Sequence, residues 1–266
     1  MNNGLFGFPV GKDVKYKKTV FTSSGIFIPS PNTKYVMVET QGAGGNGLNG
    51  TTSLSGAGGG PGLYASYFYK IDDVYPSCSV TIGASSSSTN TLVNTDTNKT
   101  LLKVSSGLDG QSQISYLGTG AFASLWGGSG SPVASGTPSL TKCGGWGAGG
   151  GGTGGGASGS SSPGSDGGVP CIFQVDYTTN QPLSLSGGAK GGQAAGENGA
   201  NAVKLVRHFG EGAGGGAGNI SGAGGNGGNG INGSGGGGGG RGSTAGGIGG
   251  TGGTGVMVFY EVCYHE

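Results

Sequence analysis

The side chains best able to do chemistry are few in this 266-residue chain, and their spacing does not bring them together. Of the two histidines, His208 lies beside Phe209 with Glu211 close by, and His265 is next to the last residue. Neither has the H-x-x-x-H spacing that puts two imidazoles on one metal. Asn94, Asp96 and Asn98 alternate as calcium-loop ligands do, but Lys99 stands where that loop needs glycine and no glutamate follows at the required distance. Asp72 and Asp73 are adjacent, so on a strand they point to opposite faces and cannot act as a carboxylate pair. No complete G-x-S-x-G nucleophile elbow occurs, and a phosphate loop would need Gly-Lys-Ser/Thr where the chain has Gly11-Lys12-Asp13. G-x-G-x-x-G matches repeatedly, but that fingerprint requires a strand before it and a helix after it, and no helix is predicted. The four cysteines, Cys78, Cys143, Cys171 and Cys263, show no C-x-x-C spacing and are expected to be mainly free thiols. Whether Cys78 and Cys263 approach one another stays open. Four glycosylation sequons, at Asn49, Asn98, Asn219 and Asn232, are what chance supplies in a chain so rich in Asn, Gly, Ser and Thr. The expectation is a protein that is not an enzyme and takes no cofactor or metal.

The elements that would position any site come from the apolar residues, which are segregated. Lys18–Pro29, Lys34–Thr40, Tyr64–Ile71, Ser77–Ile82, Leu101–Val104 and Gln113–Leu117 are β-branched and aromatic runs bounded by Ser, Gly, Pro and Asn, and predict short strands. Apolar and polar residues alternate in several of them, which implies at least one buried face. Val256–Tyr264 is the strongest strand in the chain and is expected to return to the N-terminal strands and close the framework.

Between those ends glycine dominates: 70 of 266 residues, against an ordinary fraction of ~7%. Only 9% of residues are charged and the formal net charge is 13 − 12 = +1. That balance argues against a charge-driven disordered chain, and equally against a basic surface for nucleic acid. No run reaches the ~18 to 20 apolar residues of a membrane span, and no signal peptide is readable at the N-terminus. Gly224, Gly227, Gly230, Gly233, Gly236, Gly239 and Gly242 keep a step of three, which resumes at Gly246, Gly249, Gly252 and Gly255 after a slip of one. Three residues per turn is the period of a polyproline-II-type helix, which has no internal hydrogen bonds. With no proline between Gly210 and Gly255, a collagen triple helix is disfavoured. The backbone is then satisfied by lateral bonding between side-chain-free polyglycine II helices. A single such helix from Gly224 to Gly242 would run roughly 56 Å at ~3.1 Å per residue, so turns are expected, one of them near Asn232 to Ser234. The fold class expected is an all-β framework plus a sandwich of polyglycine II helices with essentially no α-helix. Its divisions are a possible attachment segment at 1–18, a framework at 19–117, a glycine-rich region with protruding loops at 118–255, and a closing strand at 256–266.

The order of segments carries a resemblance. Phe21-Thr22-Ser23-Ser24-Gly25-Ile26-Phe27-Ile28-Pro29, followed by Tyr35-Val36-Met37-Val38-Glu39 running into Gln41-Gly42-Ala43-Gly44-Gly45, resembles the opening of the glycine-rich domain of bacteriophage tail fibre proteins. Gly58-Gly59-Gly60-Pro61-Gly62-Leu63-Tyr64, Ser79-Val80-Thr81-Ile82-Gly83, Gly110 to Tyr116 and Gly255-Val256-Met257-Val258 follow in the same order, so the resemblance spans nearly everything from about residue 19. The serine run Ala84–Ser88 and apparent insertions at Leu125–Lys142 and Ile172–Leu185 depart from that pattern. In its glycine packing the chain is similar to the adhesins at the tips of long tail fibres. The resemblance implies a virion protein, without nucleic acid or membrane insertion, that recognises an outer-membrane protein or surface polysaccharide of a bacterium. Candidate receptor contacts are the aromatics that interrupt the glycine pattern, Phe122, Trp126, Phe173, Tyr177 and Phe209, since such residues dominate interface energies. Trp146, inside a glycine run, is expected to pack. Leu5, Phe6, Phe8 and Val10 are candidates for docking onto another fibre or tail protein. Two other expectations remain beside this one: a structural fibre cap without receptor binding, and an ice-binding polyglycine II protein, which needs a regular face of Ala or Thr that Thr244, Thr251 and Thr254 barely begin to supply.

Overall fold

The computed structural model describes residues 14–84, 88–110, 148, 150–168, 175–176, 181–182, 188–203, 205–206 and 208–264. The predicted strands Lys34–Thr40, Ser77–Ile82, Leu101–Val104 and Val256–Tyr264 are present within a residue or two, whereas Gln113–Leu117 lies outside the described residues. The framework consists of β1 (Val14–Phe21), β2 (Gly25–Phe27), β3 (Thr33–Gln41), β4 (Tyr64–Lys70), one helical turn α1 (Ile71–Val74), β5 (Cys78–Thr81), β6 (Thr89–Asn94), β7 (Thr100–Ser105) and β8 (Val256–Tyr264). They form two antiparallel sheets, ordered β1-β8-β3-β4 and β2-β5-β6-β7. The C-terminal strand therefore sits inside the first sheet, between β1 and β3, as a closing strand should.

Three boundaries differ from the sequence expectation. The run Lys18–Pro29 is divided, because Thr22–Ser24 carries the chain from the first sheet to the second. Pairing of Val14 with Tyr264 begins β1 four residues earlier than Lys18, so the first sheet starts inside the 1–18 division. The strand predicted to reach Ile71 stops at Lys70, where the Asp73 carboxylate accepts the Lys70 N–H at 3.2 Å and starts α1.

The core lies between the sheets. Val36, Val38, Tyr69, Met257 and Phe259 from one meet Phe27, Cys78, Val80 and Leu92 from the other, with Phe27 stacked on Phe259 at 4.0 Å between centroids. Cys78 is buried there as a free thiol whose pKa burial pushes up to about 11, so it is inert at neutral pH. Cys263 is also free, half-buried against Thr33, so the two do not pair.

The glycine segments leave the end of the first sheet. β3 runs directly into 42–50, and 246–255 runs directly into β8. Each segment is extended and bonds laterally at every third residue. In 234–242, Gly236 and Gly239 donate to Gly45 and Leu48, Gly237 and Gly240 to Gly228 and Gly225, and Gly238 and Arg241 to Gly152 and Gly155. Their carbonyls accept in the same rotation: the first pair from Gly59 and Gly56, the second from Gly250 and Gly247, the third from Gly216 and Asn219. All twelve bonds are 2.7 to 3.0 Å long. Segment 234–242 is thus enclosed by 42–50, 55–62, 150–156, 210–219, 224–231 and 246–253, and every one of those backbone groups is satisfied between segments. Segment 210–219 is enclosed in the same way by 150–156, 162–168, 188–196, 197–200, 224–231 and 234–242. These neighbour relations arrange the segments in three rows, with 197–202, 224–231 and 246–254 forming one outer row.

Among the described glycines only Gly110, Gly159, Gly196 and Gly233 have positive φ. In the rows glycine is needed for room. A Cβ on Gly237 would fall on the carbonyl of Gly214, and one on Gly240 on the carbonyl of Ala217. The expected turn is found at Asn232–Gly233, and the slip after Gly242 is a second one, at Ser243–Thr244.

Candidate functional site

The chain passes from the framework along the glycine layers and back several times, so its connections gather at two ends. Among the described residues five short turns lie at the far end, at 51–54, 157–161, 193–196, 220–223 and 243–245. Hydrogen bonds tie most of them together. Ser243 N–H donates to the carbonyls of Asn219 and Gly222, Gly196 N–H to Gly218, Ile220 N–H to Ser161 Oγ at 3.2 Å, and Arg241 Nε to the Thr52 carbonyl at 3.0 Å. Three of the turns have a closure of their own as well. Thr51 Oγ1 accepts from Ser53 and Leu54 N–H, Asn219 Oδ1 from Ser221 N–H, and Glu197 Oε2 from Gln193 and Ala194 N–H, both at 2.7 Å.

These contacts hold a tip whose exposed side chains are hydroxyls, a few small apolar groups and little charge. Leu54 and Ile220 are each 49% exposed. Glu197 is fully solvated, and the two backbone N–H groups it accepts lower its pKa below the ordinary 4.5. A depressed carboxylate stabilises the turn above its unfolded pKa, and that contribution is lost as pH falls through the lower folded value. The protection of the Gln193 and Ala194 amides, measured against the intrinsic exchange rate at each pH, is therefore expected to fall as pH drops below 4.5 in the native protein and to lose that pH response in Glu197→Gln.

Of the sequence candidates, only Phe209 is among the described residues. Phe122, Trp126, Phe173 and Tyr177, with Trp146 and the attachment candidates Leu5, Phe6, Phe8 and Val10, lie outside the described residues. Phe209 corrects the contact expectation: it is 3% exposed at the framework end and packs edge-on against Tyr64, with Ala148, Val256 and Val258 around it. Chain direction explains this, because 197–203 returns toward the framework before Phe209 and 210–219 leaves it again. Asn94, Asp96 and Asn98 form the β6–β7 turn, in which Asn94 Oδ1 accepts from Asp96 and Thr97 N–H. Among the described residues no three His, Cys, Asp or Glu are placed to hold a metal, and no helix is long and apolar enough to cross a membrane.

A cleft of about 540 Å³ opens at the framework end of the outer row, between Ala84 and residues Asn46, Ile231, Asn232, Thr251 and Thr254. It has no charged lining residue. The outer row itself presents Asn198, Asn201, Asn226, Asn229, Ile248, Thr251 and Thr254 to solvent, which is not the Ala or Thr array expected of an ice-binding face.

No protein-family model matches this chain, and no characterised protein matches it. Its function has to be read from the tip and the lattice behind it.

Proposed function

We propose that the chain is the receptor-binding tip of a bacteriophage tail fibre, a non-enzymatic adhesin whose glycine segments are polyglycine II helices. Lateral bonding at every third residue, with negative φ along the rows, supports the helix reading. The observation that carries the functional reading is the gathering of five short turns on a backbone lattice in which each inner segment has six bonded neighbours. Such a lattice holds its ends rigidly, and rigid scaffolds presenting small loops are the usual construction of recognition surfaces. The partner at the tip is an outer-membrane protein or surface polysaccharide of a bacterial host. At the other end, the framework and the segment before Val14, with Leu5, Phe6, Phe8 and Val10, join the chain to another fibre or tail protein. Half-exposed Tyr35 and Phe68, 5.4 Å apart, add to that end an apolar surface of the kind interfaces use.

Binding of labelled protein to susceptible bacteria tests the reading. Saturable binding is expected, and the double variant Leu54→Ser, Ile220→Ser should weaken it at least about tenfold while leaving thermal stability within ~0.5 kcal/mol, as surface substitutions do. Absence of saturable binding to any susceptible host would sink the adhesin assignment. Undiminished binding by the variant would move the contact away from the tip.

A further inference from the structure

The outer row has a feature that the tip does not explain. Every inner segment sends N–H groups to three neighbours and receives from three, so an outer segment, lacking neighbours on one side, should be left with N–H groups that point at nothing. They are not left so. Asn226 and Asn229 N–H donate to Asn198 Oδ1 and Asn201 Oδ1 on the adjacent segment, at 2.8 and 2.7 Å. Ile248 and Thr251 N–H donate in turn to Asn226 Oδ1 and Asn229 Oδ1, at 2.8 and 2.9 Å. Gly249 and Gly252 N–H are met from the other side by Asn49 Oδ1 and Asn46 Oδ1, at 2.9 and 3.0 Å. Each carboxamide reaches one segment across and places its oxygen where the backbone carbonyl of a further row would lie.

The complementary groups are uncapped. The carbonyls of Gly227 and Gly230, in the same outer segment, accept no hydrogen bond from the described residues. Stripped of its asparagine oxygens, this face would carry free N–H donors beside free carbonyl acceptors at a common step. That is self-complementary in the way an unprotected sheet edge is, but the asparagine side chains, with Ile248 and Thr251 beside them, stand where a second lattice would have to lie.

We infer that the asparagine side chains terminate the glycine lattice, their oxygens filling its last N–H groups and their bulk the place of a further row, so that this face does not take up a second copy of the chain. The inference concerns the side of the lattice and holds whether or not the tip binds a bacterial receptor.

Sedimentation velocity on the full chain over a wide concentration range tests it. The variant N198G/N201G/N226G/N229G, which removes the oxygens and the Cβ atoms alike, is expected to self-associate at least about tenfold more tightly than the native chain. The variant N198D/N201D/N226D/N229D keeps the acceptor oxygens and should behave as the native chain does, even in about 1 M salt, where the Debye length of ~3 Å removes charge repulsion as the cause. A glycine variant that keeps the native sedimentation at every concentration overturns the inference, as does an aspartate variant that associates as readily as the glycine one in high salt. Should the fourfold glycine variant not fold, the single variant Asn226→Ala answers through amide exchange. The Ile248 N–H is then expected to exchange at least about tenfold faster, and an unchanged rate overturns the capping role.

Discussion

Replacing Gly237 by alanine is expected to leave little or no folded protein at ordinary temperature. In an extended surface segment the same change would stabilise by ~0.4 to 1 kcal/mol, because alanine has less freedom to lose on folding. Gly237 reverses the sign. Its Cβ would be driven into the Gly214 carbonyl, with Gly228 N only 3.1 Å away, and both obstacles are backbone of neighbouring segments. A crowded side chain can change rotamer, which keeps ordinary overpacking near ~1 to 3 kcal/mol. Here segment 234–242 has to part from 210–219, and the bonds to Gly235, Gly238 and Arg241 carbonyls open with it. Stranding buried peptide groups costs ~1 to 3 kcal/mol each, so the sum exceeds ~4 kcal/mol and approaches the whole stability of ~5 to 15 kcal/mol typical of a domain. Gly222→Ala is the control: its Cβ would meet only the Asn219 side-chain amide, at 3.0 Å, and that side chain can move. Soluble yield and thermal midpoint should separate the two variants, and a Gly237→Ala protein melting within a few degrees of native would disprove the close-packing account.

Why the sequence revealed some of this and hid the rest follows from what a step-of-three pattern encodes. Strand-forming ends such as Val256–Tyr264 advertise themselves because their side chains are the core, and the slip after Gly242 marks a turn because a turn must break the step. Strand β6 was missed for the opposite reason: Thr89–Asn94 faces inward with Asn90, Leu92 and Asn94, so two of its three buried side chains are polar and read as loop. Neighbour choice among the glycine segments is not encoded by side chains at all, since any such segment can bond with any other. Turns and framework exits decide it. The described tip lies where Thr51–Leu54 and Asn219–Ser221 interrupt the glycine pattern with short, mostly polar residues, which lack the aromatic mark of an interface. The pairs Asn46 and Asn49, Asn198 and Asn201, and Asn226 and Asn229, each three apart beside glycine or alanine, are legible as spacing, but what they cap follows only from the rows.

Asn90 is where framework and lattice are joined, and its replacement is the second substitution expected to be severe. This fully buried side chain on β6 reaches across to the point where β3 becomes 42–50 and 246–255 becomes β8. Its Oδ1 accepts the Gly83 N–H at 2.9 Å, and its Nδ2 donates to the Gln41 carbonyl at 2.7 Å and Thr40 Oγ1 at 2.9 Å, with the Val256 carbonyl at 3.3 Å. Asn90→Ala strands the Gly83 N–H and the Gln41 carbonyl in a dry site and leaves a cavity. At ~1 to 3 kcal/mol for each stranded group, a loss of about 4 kcal/mol is expected in a denaturant titration. Asn90→Asp separates hydrogen bonding from volume. It keeps the size but turns a two-proton donor into an acceptor that faces two carbonyl oxygens, so the buried carboxyl is held protonated and its folded pKa lies above the unfolded ~3.9. A raised folded pKa stabilises only below the unfolded value and is lost as pH rises through the folded one. Asn90→Asp should thus approach native stability in acid and fall toward Asn90→Ala at neutral pH. A pH-independent deficit would mean that the site is held by packing, and that the hydrogen bonds joining sheet to lattice are incidental.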